Sequence, residues 1–114
     1  MNIHIHSPGV RLGSDLLGCL DGHLRRVLGR YSARIQSVQV FLADINGHRG
    51  GPDQRCRLVA RLRPSGELVL EDVHQDVSAA VGRAADRLVS LIRQELERRH
   101  AARRRQATRR LNLR

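Results

Sequence analysis

The chain has 114 residues and contains no lysine, no tryptophan, and only one tyrosine and one phenylalanine. All 21 basic residues are therefore arginine, which excludes lysine chemistry such as a Schiff base or the phosphate-binding lysine of a P-loop. With Tyr31 and Phe41 as the only large aromatics, the core must consist of Leu, Val, Ile and Ala. Modules that bind single-stranded nucleic acid stack bases on exposed aromatic rings. The composition therefore argues against a base-stacking module and favours recognition of structured RNA through phosphates and shape.

Cysteine and long apolar runs are also scarce. Cys19 and Cys56 form no CxxC pair, which is typical of free thiols in a reducing cytosol. No apolar run approaches the ~20 residues of a membrane span, and the N-terminus does not resemble a signal peptide. The sequence thus predicts a cytoplasmic location and no membrane partner.

No set of side chains has the pattern of a catalytic or metal site. There is no carboxylate pair, Ser/His/Asp set or Cys/His set with suitable spacing, so we expect no enzymatic activity, no cofactor and no small-molecule substrate. His4 and His6 lie on one face of a predicted strand, but nothing completes a metal site there. The sequence therefore predicts a binding protein without a metal.

Positive charge is abundant and unevenly distributed. The formal net charge is +10 and the pI is about 11.6. Residues 83–114 carry eleven arginines and three acidic residues, which is most of the excess. This charge predicts a polyanionic partner. Nucleic acid is the simplest candidate, and the surface of an anionic membrane is the lesser alternative.

Hydrophobic patterning predicts the element order β-α-β-β-β-α. Alternating apolar residues predict strands, and apolar residues at helical spacing predict helices. Ser14 is the predicted N-cap of the first helix. The predicted strands are residues 2–6, 35–43, 54–63 and 67–73, and the predicted helices are residues 15–31 and 76–99. The fold class is α+β: a four-stranded sheet, with its last three strands in an antiparallel meander, and two helices packed on one face.

The C-terminal segment loses this periodicity. Residues 98–114 contain eight arginines and no acidic residue. We therefore divide the chain into a domain, residues 1–99, and a disordered arginine-rich tail, residues 100–114.

Several short segments resemble one protein family. They are Ser14-Asp15-Leu16-Leu17, Leu28-Gly29-Arg30-Tyr31, the loop at residues 44–56, Gly66-Glu67-Leu68, Asp76, Ala79-Ala80-Val81 and Asp86-Arg87-Leu88. Together they resemble the ribosome hibernation-promoting factor family, also called sigma-54 modulation or ribosome-associated inhibitor proteins. The resemblance implies a double-stranded-RNA-binding-like fold and the short form of the family. It also implies docking on 16S rRNA of the small ribosomal subunit or 70S ribosome, over the messenger and transfer RNA channel, to silence translation in stress or stationary phase.

The resemblance further implies RNA contacts from basic residues on both helices. Arg87 and Arg93 match the family's basic positions best, while Ser78, Ser90 and Gln94 depart from its pattern. The predicted RNA-binding residues are Arg25, Arg26, Arg30, Arg83, Arg87, Arg93, Arg98 and Arg99, and the predicted auxiliary tail residues are Arg103, Arg104, Arg105, Arg109 and Arg110. The alternative is a solvated helix face.

Other interpretations remain open at this stage. Arg55, Arg57, Arg61 and Arg63 line one face of the third strand, either as an ion-pair ladder with Glu67 and Glu71 or as a second RNA surface. The function alternative to ribosome silencing is a general nucleic-acid-binding protein. A third interpretation is an interaction module of the same fold that does not bind ribosomes.

Overall fold

A computed structural model describes residues 1–45 and 53–112 of the chain. Its elements occur in the predicted order, β-α-β-β-β-α, and confirm the α+β fold class. They are β1 Asn2–His6, α1 Ser14–Leu28, a 3₁₀ segment Gly29–Arg34, β2 Ile35–Asp44, β3 Gln54–Leu62, β4 Glu67–His74 and α2 Val77–Asn112. Residues 46–52, including Arg49 of the loop that resembles the family, lie outside the described residues.

The four strands form one sheet in the order β1-β2-β3-β4. β1 pairs in parallel with β2, so the chain must cross over between them, and α1 makes that crossover. β2, β3 and β4 pair antiparallel, as the meander prediction required. Both helices pack on the face of the sheet that carries the buried strand residues, and no other described element covers the opposite face.

The core is aliphatic, as the scarcity of aromatics predicted. α1 contributes Leu20, Leu24 and Leu28, whose spacing of four residues places them on one side of the helix. The inward faces of β2, β3 and β4 and the first half of α2 complete it. The contributing residues are Ile35, Val38, Val40, Leu42, Cys56, Leu58, Ala60, Leu62, Leu70, Ala80, Val81, Ala84, Ala85, Leu88 and Ile92.

The start of α1 differs from the prediction by one residue. The backbone N–H of Leu17 donates to the carbonyl of Gly13 at 3.0 Å. Gly13 is therefore the N-cap, and no side chain caps this end. Ser14 was wrongly predicted as the cap, because its backbone already lies within the first turn.

The end of α2 differs more strongly. The predicted helix frays near residue 99, whereas α2 continues without a break to Asn112. Ala101, Ala102, Ala107 and the arginines are strong helix formers, and the segment contains no glycine or proline. Disorder was predicted because the segment is highly charged, and its helix propensity was not considered. That prediction was wrong for residues 100–112, which are helical. The division into a domain and a tail at residue 99 stays a prediction. In the part of the chain that the structure describes, no helix combines the length and the apolar character of a membrane span.

Candidate nucleic-acid interface

Arg83 and Arg87 lie one turn apart on α2 and share a carboxylate partner on β4. The Asp72 carboxylate is 3.7 Å from Nε of Arg83 and 3.4 Å from an NH group of Arg87. Arg87 also donates to the carbonyl oxygen of Glu71 at 2.6 Å. Both arginine side chains remain more than half exposed. Asp72 therefore orients two arginines while leaving part of each guanidinium free to bind an anion.

The role of Asp72 was not predicted from the sequence. Alternation along β4 places Asp72 on the same face as Leu68 and Leu70, and only 7% of the residue is exposed. A carboxylate on the apolar face of a strand needs a cationic or hydrogen-bonding partner. That requirement was the signal in the sequence that Asp72 has such a partner, and the structure identifies Arg83 and Arg87.

Arg93 lies six residues beyond Arg87 on α2 and is exposed. No ion pair or hydrogen bond joins its side chain to another residue in the described ranges. Its guanidinium is therefore available to an external anion without breaking an internal contact.

Arg98 and Arg99 both bind Glu95, but in different surroundings. Two nitrogens of Arg98 donate to one oxygen of Glu95, at 3.1 and 2.5 Å, and the Arg98 side chain is 74% exposed. Arg99 donates to the other oxygen at 2.9 Å, and its side chain is only 20% exposed. Hydrogen bonds from Arg98 and then Arg99 hold the pKa of Glu95 below its ordinary value.

Arg99 also fastens α2 to the turn between β3 and β4. It donates to the carbonyls of Ser65 at 2.6 Å and Arg63 at 3.3 Å. Gly66 has a φ of +110°, and a Cβ there would lie 2.5 Å from the Arg99 guanidinium. The positive φ favours glycine at this turn, and any side chain there would have to displace the Arg99 guanidinium. Arg99 has a structural role, so we leave it out of the proposed RNA surface.

The arginines of α1 lie at or next to the end of that helix and are all exposed. Arg25 donates to Asp21 at 2.6 Å, Arg26 lies 3.2 Å from a ring nitrogen of His23, and Arg30 lies 5.8 Å from the centre of the Tyr31 ring. α1 packs beside α2. The two helices therefore form one layer that carries both predicted sets of arginines.

The five tail arginines lie on the extension of α2. At about 100° per residue, they point in all directions around the helix axis rather than along one side. From residue 100 to residue 112 the helix extends about 20 Å, and nearly all of this length is exposed. The extension therefore presents positive charge on every side.

On the open face of the sheet, only one ion pair of the predicted ladder is present among the residues that the structure describes. Arg61 and Glu67 are register partners and approach to 3.7 Å. Arg57 lies opposite Glu71, but no ion pair of Arg57 or Arg55 exists within the described ranges.

Reactive and metal-binding side chains are sparse. Burial, and then the charge of Asp72, raises the pKa of the Cys56 thiol to about 12, whereas Cys19 is exposed. Among residues 1–45 and 53–112, no group of three or more His, Cys, Asp or Glu side chains is placed to hold a metal ion.

Comparison with known proteins finds likeness in structure rather than in sequence. No family model matches the chain, and no curated protein matches its sequence. The N-terminal domain of protein Y from Thermus thermophilus superposes with a TM-score of 0.66 and 24% identity, covering 82% of this chain and 98% of that domain. A ribosomal subunit interface protein from Coxiella burnetii superposes with a TM-score of 0.70 and 14% identity, covering 85% of this chain and 99% of that protein.

Both proteins are members of the family whose motifs the sequence resembles. The superposition extends over more than four fifths of this chain and almost all of each neighbour. The chain therefore has the fold of the ribosome hibernation and sigma-54 modulation proteins, which confirms the resemblance at the level of the fold.

Proposed function

We propose that this protein is a ribosome-associated translation inhibitor, a hibernation factor that binds 16S rRNA of the small subunit or 70S ribosome. It acts in stress or stationary phase by occupying the messenger and transfer RNA channel. The mechanism is steric and non-enzymatic, and it requires a cytoplasmic location.

The observation that carries this proposal is a basic helix layer on the fold of a ribosomal subunit interface protein. Arg25, Arg26 and Arg30 on one side and Arg83, Arg87 and Arg93 on the other are all exposed. Arginine suits an RNA backbone because its planar guanidinium donates two parallel hydrogen bonds to phosphate oxygens. Two of these arginines are held in place by Asp72, which lowers the entropic cost of binding a phosphate.

Sedimentation with ribosomes tests the proposal. We expect the protein to migrate with small subunits or 70S ribosomes at moderate salt and to compete with transfer RNA. The double variant Arg26→Gln/Arg93→Gln removes two charges from the helix layer and should weaken binding about tenfold for each phosphate that the variant no longer binds. The matched control Arg61→Gln/Arg63→Gln removes two charges outside the helices, one on the exposed face of β3 and one in the turn that follows it. Equal losses of affinity in both variants, or no co-sedimentation of the parent protein, would contradict the proposal.

A second candidate function is general binding to polyanions, and the helical extension of α2 favours it. Arginines that point in every direction specify no binding orientation and attract any polyanion. Changing Arg103, Arg104, Arg105, Arg109 and Arg110 to Gln distinguishes the two functions. A general binder loses its affinity, whereas a ribosome-docking domain retains saturable binding with a shallower dependence on salt.

A further inference from the structure

The sheet face away from the helices carries an aromatic and basic cluster. Strand register places His6 of β1 beside Phe41 of β2, and Phe41 beside Arg57 of β3. Arg55 lies on the same face of β3, two residues before Arg57. We call these four residues the sheet cluster.

Phe41 is one of the two large aromatic residues of the chain, and the structure places it at the surface. It is 38% exposed and stacks on the His6 ring, with ring centres 4.8 Å apart and planes 14° from parallel. A buried ring stabilises the core, but an exposed one contributes little to it. The pair instead offers a π-surface to solvent, of the kind on which an unpaired base stacks.

The cluster borders an open cavity of about 720 Å³, within the range of small-molecule and cofactor sites. Ser7, Pro8, Ala43 and Val59 complete most of its lining. Arg55 and Arg57 enter this cavity without an ion pair to any described residue, although Glu71 lies across the strand from Arg57. Two available cations beside an aromatic pair match a ligand that combines a flat ring with phosphate.

We propose that the sheet cluster binds single-stranded RNA. An unpaired base lies on an outer face of the stacked Phe41 and His6 rings and extends that stack, and Arg55 and Arg57 bind the flanking phosphates. In a duplex the neighbouring bases of the helical stack cover both faces of each base, so duplex RNA does not fit this site. The composition argued against a base-stacking module, and this proposal departs from that prediction at a single site, which holds one or two bases. This site lies on the opposite side of the sheet from the helix layer and does not depend on the proposed ribosome function.

The absence of tryptophan makes a direct test possible. A Phe41→Trp variant carries the only tryptophan in the chain, and a stacked base quenches its fluorescence. We expect saturable quenching by a ten-residue oligouridine, and no quenching by an RNA hairpin stem or by polyphosphate. Val69→Trp is the matched control, because Val69 is exposed on the same sheet face but does not line the cavity.

Affinity provides the second measurement. The tail arginines are first changed to Gln so that they do not bind the labelled oligouridine. In that background Phe41→Ala should weaken binding at least about fivefold, the lower end of the effect of one stacked base. Phe41→Tyr should retain it, Val69→Ala should not change it, and Arg55→Gln/Arg57→Gln should weaken it with a shallower salt slope. Circular dichroism of each variant verifies that it is folded.

Three results would overturn the proposal. The first is equal affinity of Phe41→Ala and its parent protein, and the second is quenching of Trp at position 41 by polyphosphate. The third is saturation by uridine monophosphate at the same concentration as the oligomer, which would indicate a mononucleotide pocket. The Arg26→Gln/Arg93→Gln variant should keep the quenching even if it loses the ribosome, so failure of either proposal is visible separately.

Discussion

Replacing Arg99 by glutamine should destabilise the fold, whereas the same change at the adjacent Arg98 should not. Both arginines bind Glu95, and both substitutions remove one positive charge. They differ in exposure, 20% against 74%, and in the two backbone carbonyls that only Arg99 reaches. Comparing the two variants therefore separates the effect of these backbone contacts on stability from the effect of removing a charge.

The expected magnitude follows from the hydrogen bonds. A hydrogen bond from a charged donor contributes about 1.5–3 kcal/mol when it is buried, and the carbonyls of Arg63 and Ser65 lie at the surface. We therefore assign about 1 kcal/mol to each, or about 2 kcal/mol in total. For a domain of this size, that lowers the melting temperature by about 8–12 °C. An exposed ion pair such as that of Arg98 contributes about 0–1 kcal/mol.

Thermal unfolding followed by circular dichroism at moderate salt measures both variants. Arg99→Gln should melt well below the parent protein and Arg98→Gln within a few degrees of it. Equal shifts would refute the structural role of Arg99, because they would show that charge alone matters. A larger shift for Arg98→Gln would show that exposure is a poor guide to these contacts.

Two further predictions concern titration. At pH 8 the folded protein should react with a thiol reagent at Cys19 only. Cys56 should react only after unfolding, because it is buried and its pKa is raised to about 12. Rapid labelling of both thiols in the folded protein would contradict this prediction. The stability linked to Glu95 should be present above the ordinary glutamate pKa of ~4.3 and be lost as the pH falls, because its folded pKa is lowered. The melting temperature of Glu95→Gln should therefore fall less on acidification than that of the parent protein, and parallel curves would exclude the effect.

The elements and the core were accessible from the sequence because their signals are local. Alternation at Ile3 and Ile5, and the spacing of Leu20, Leu24 and Leu28, depend only on the period of a strand or a helix. The open face of the sheet also followed from alternation along β3.

The partners of the arginines were not accessible in the same way. Whether Arg99 contacts RNA or the carbonyl of Ser65 depends on how closely α2 approaches a turn more than thirty residues earlier. The stacking of His6 on Phe41 depends on the parallel register of β1 and β2, which alternation does not specify. The end of α2 depended on a balance of helix propensity against like-charge repulsion, and composition alone favoured the wrong outcome.

Because α2 is unbroken, its extension at residues 100–112 has a fixed orientation relative to the domain. A disordered tail would reorient independently of the domain, whereas a continuous helix rotates together with it. Arg99, bound to the turn between β3 and β4, helps to fix the angle between the extension and the sheet. A polyanion that binds the extension therefore also restricts the orientation of both faces of the domain.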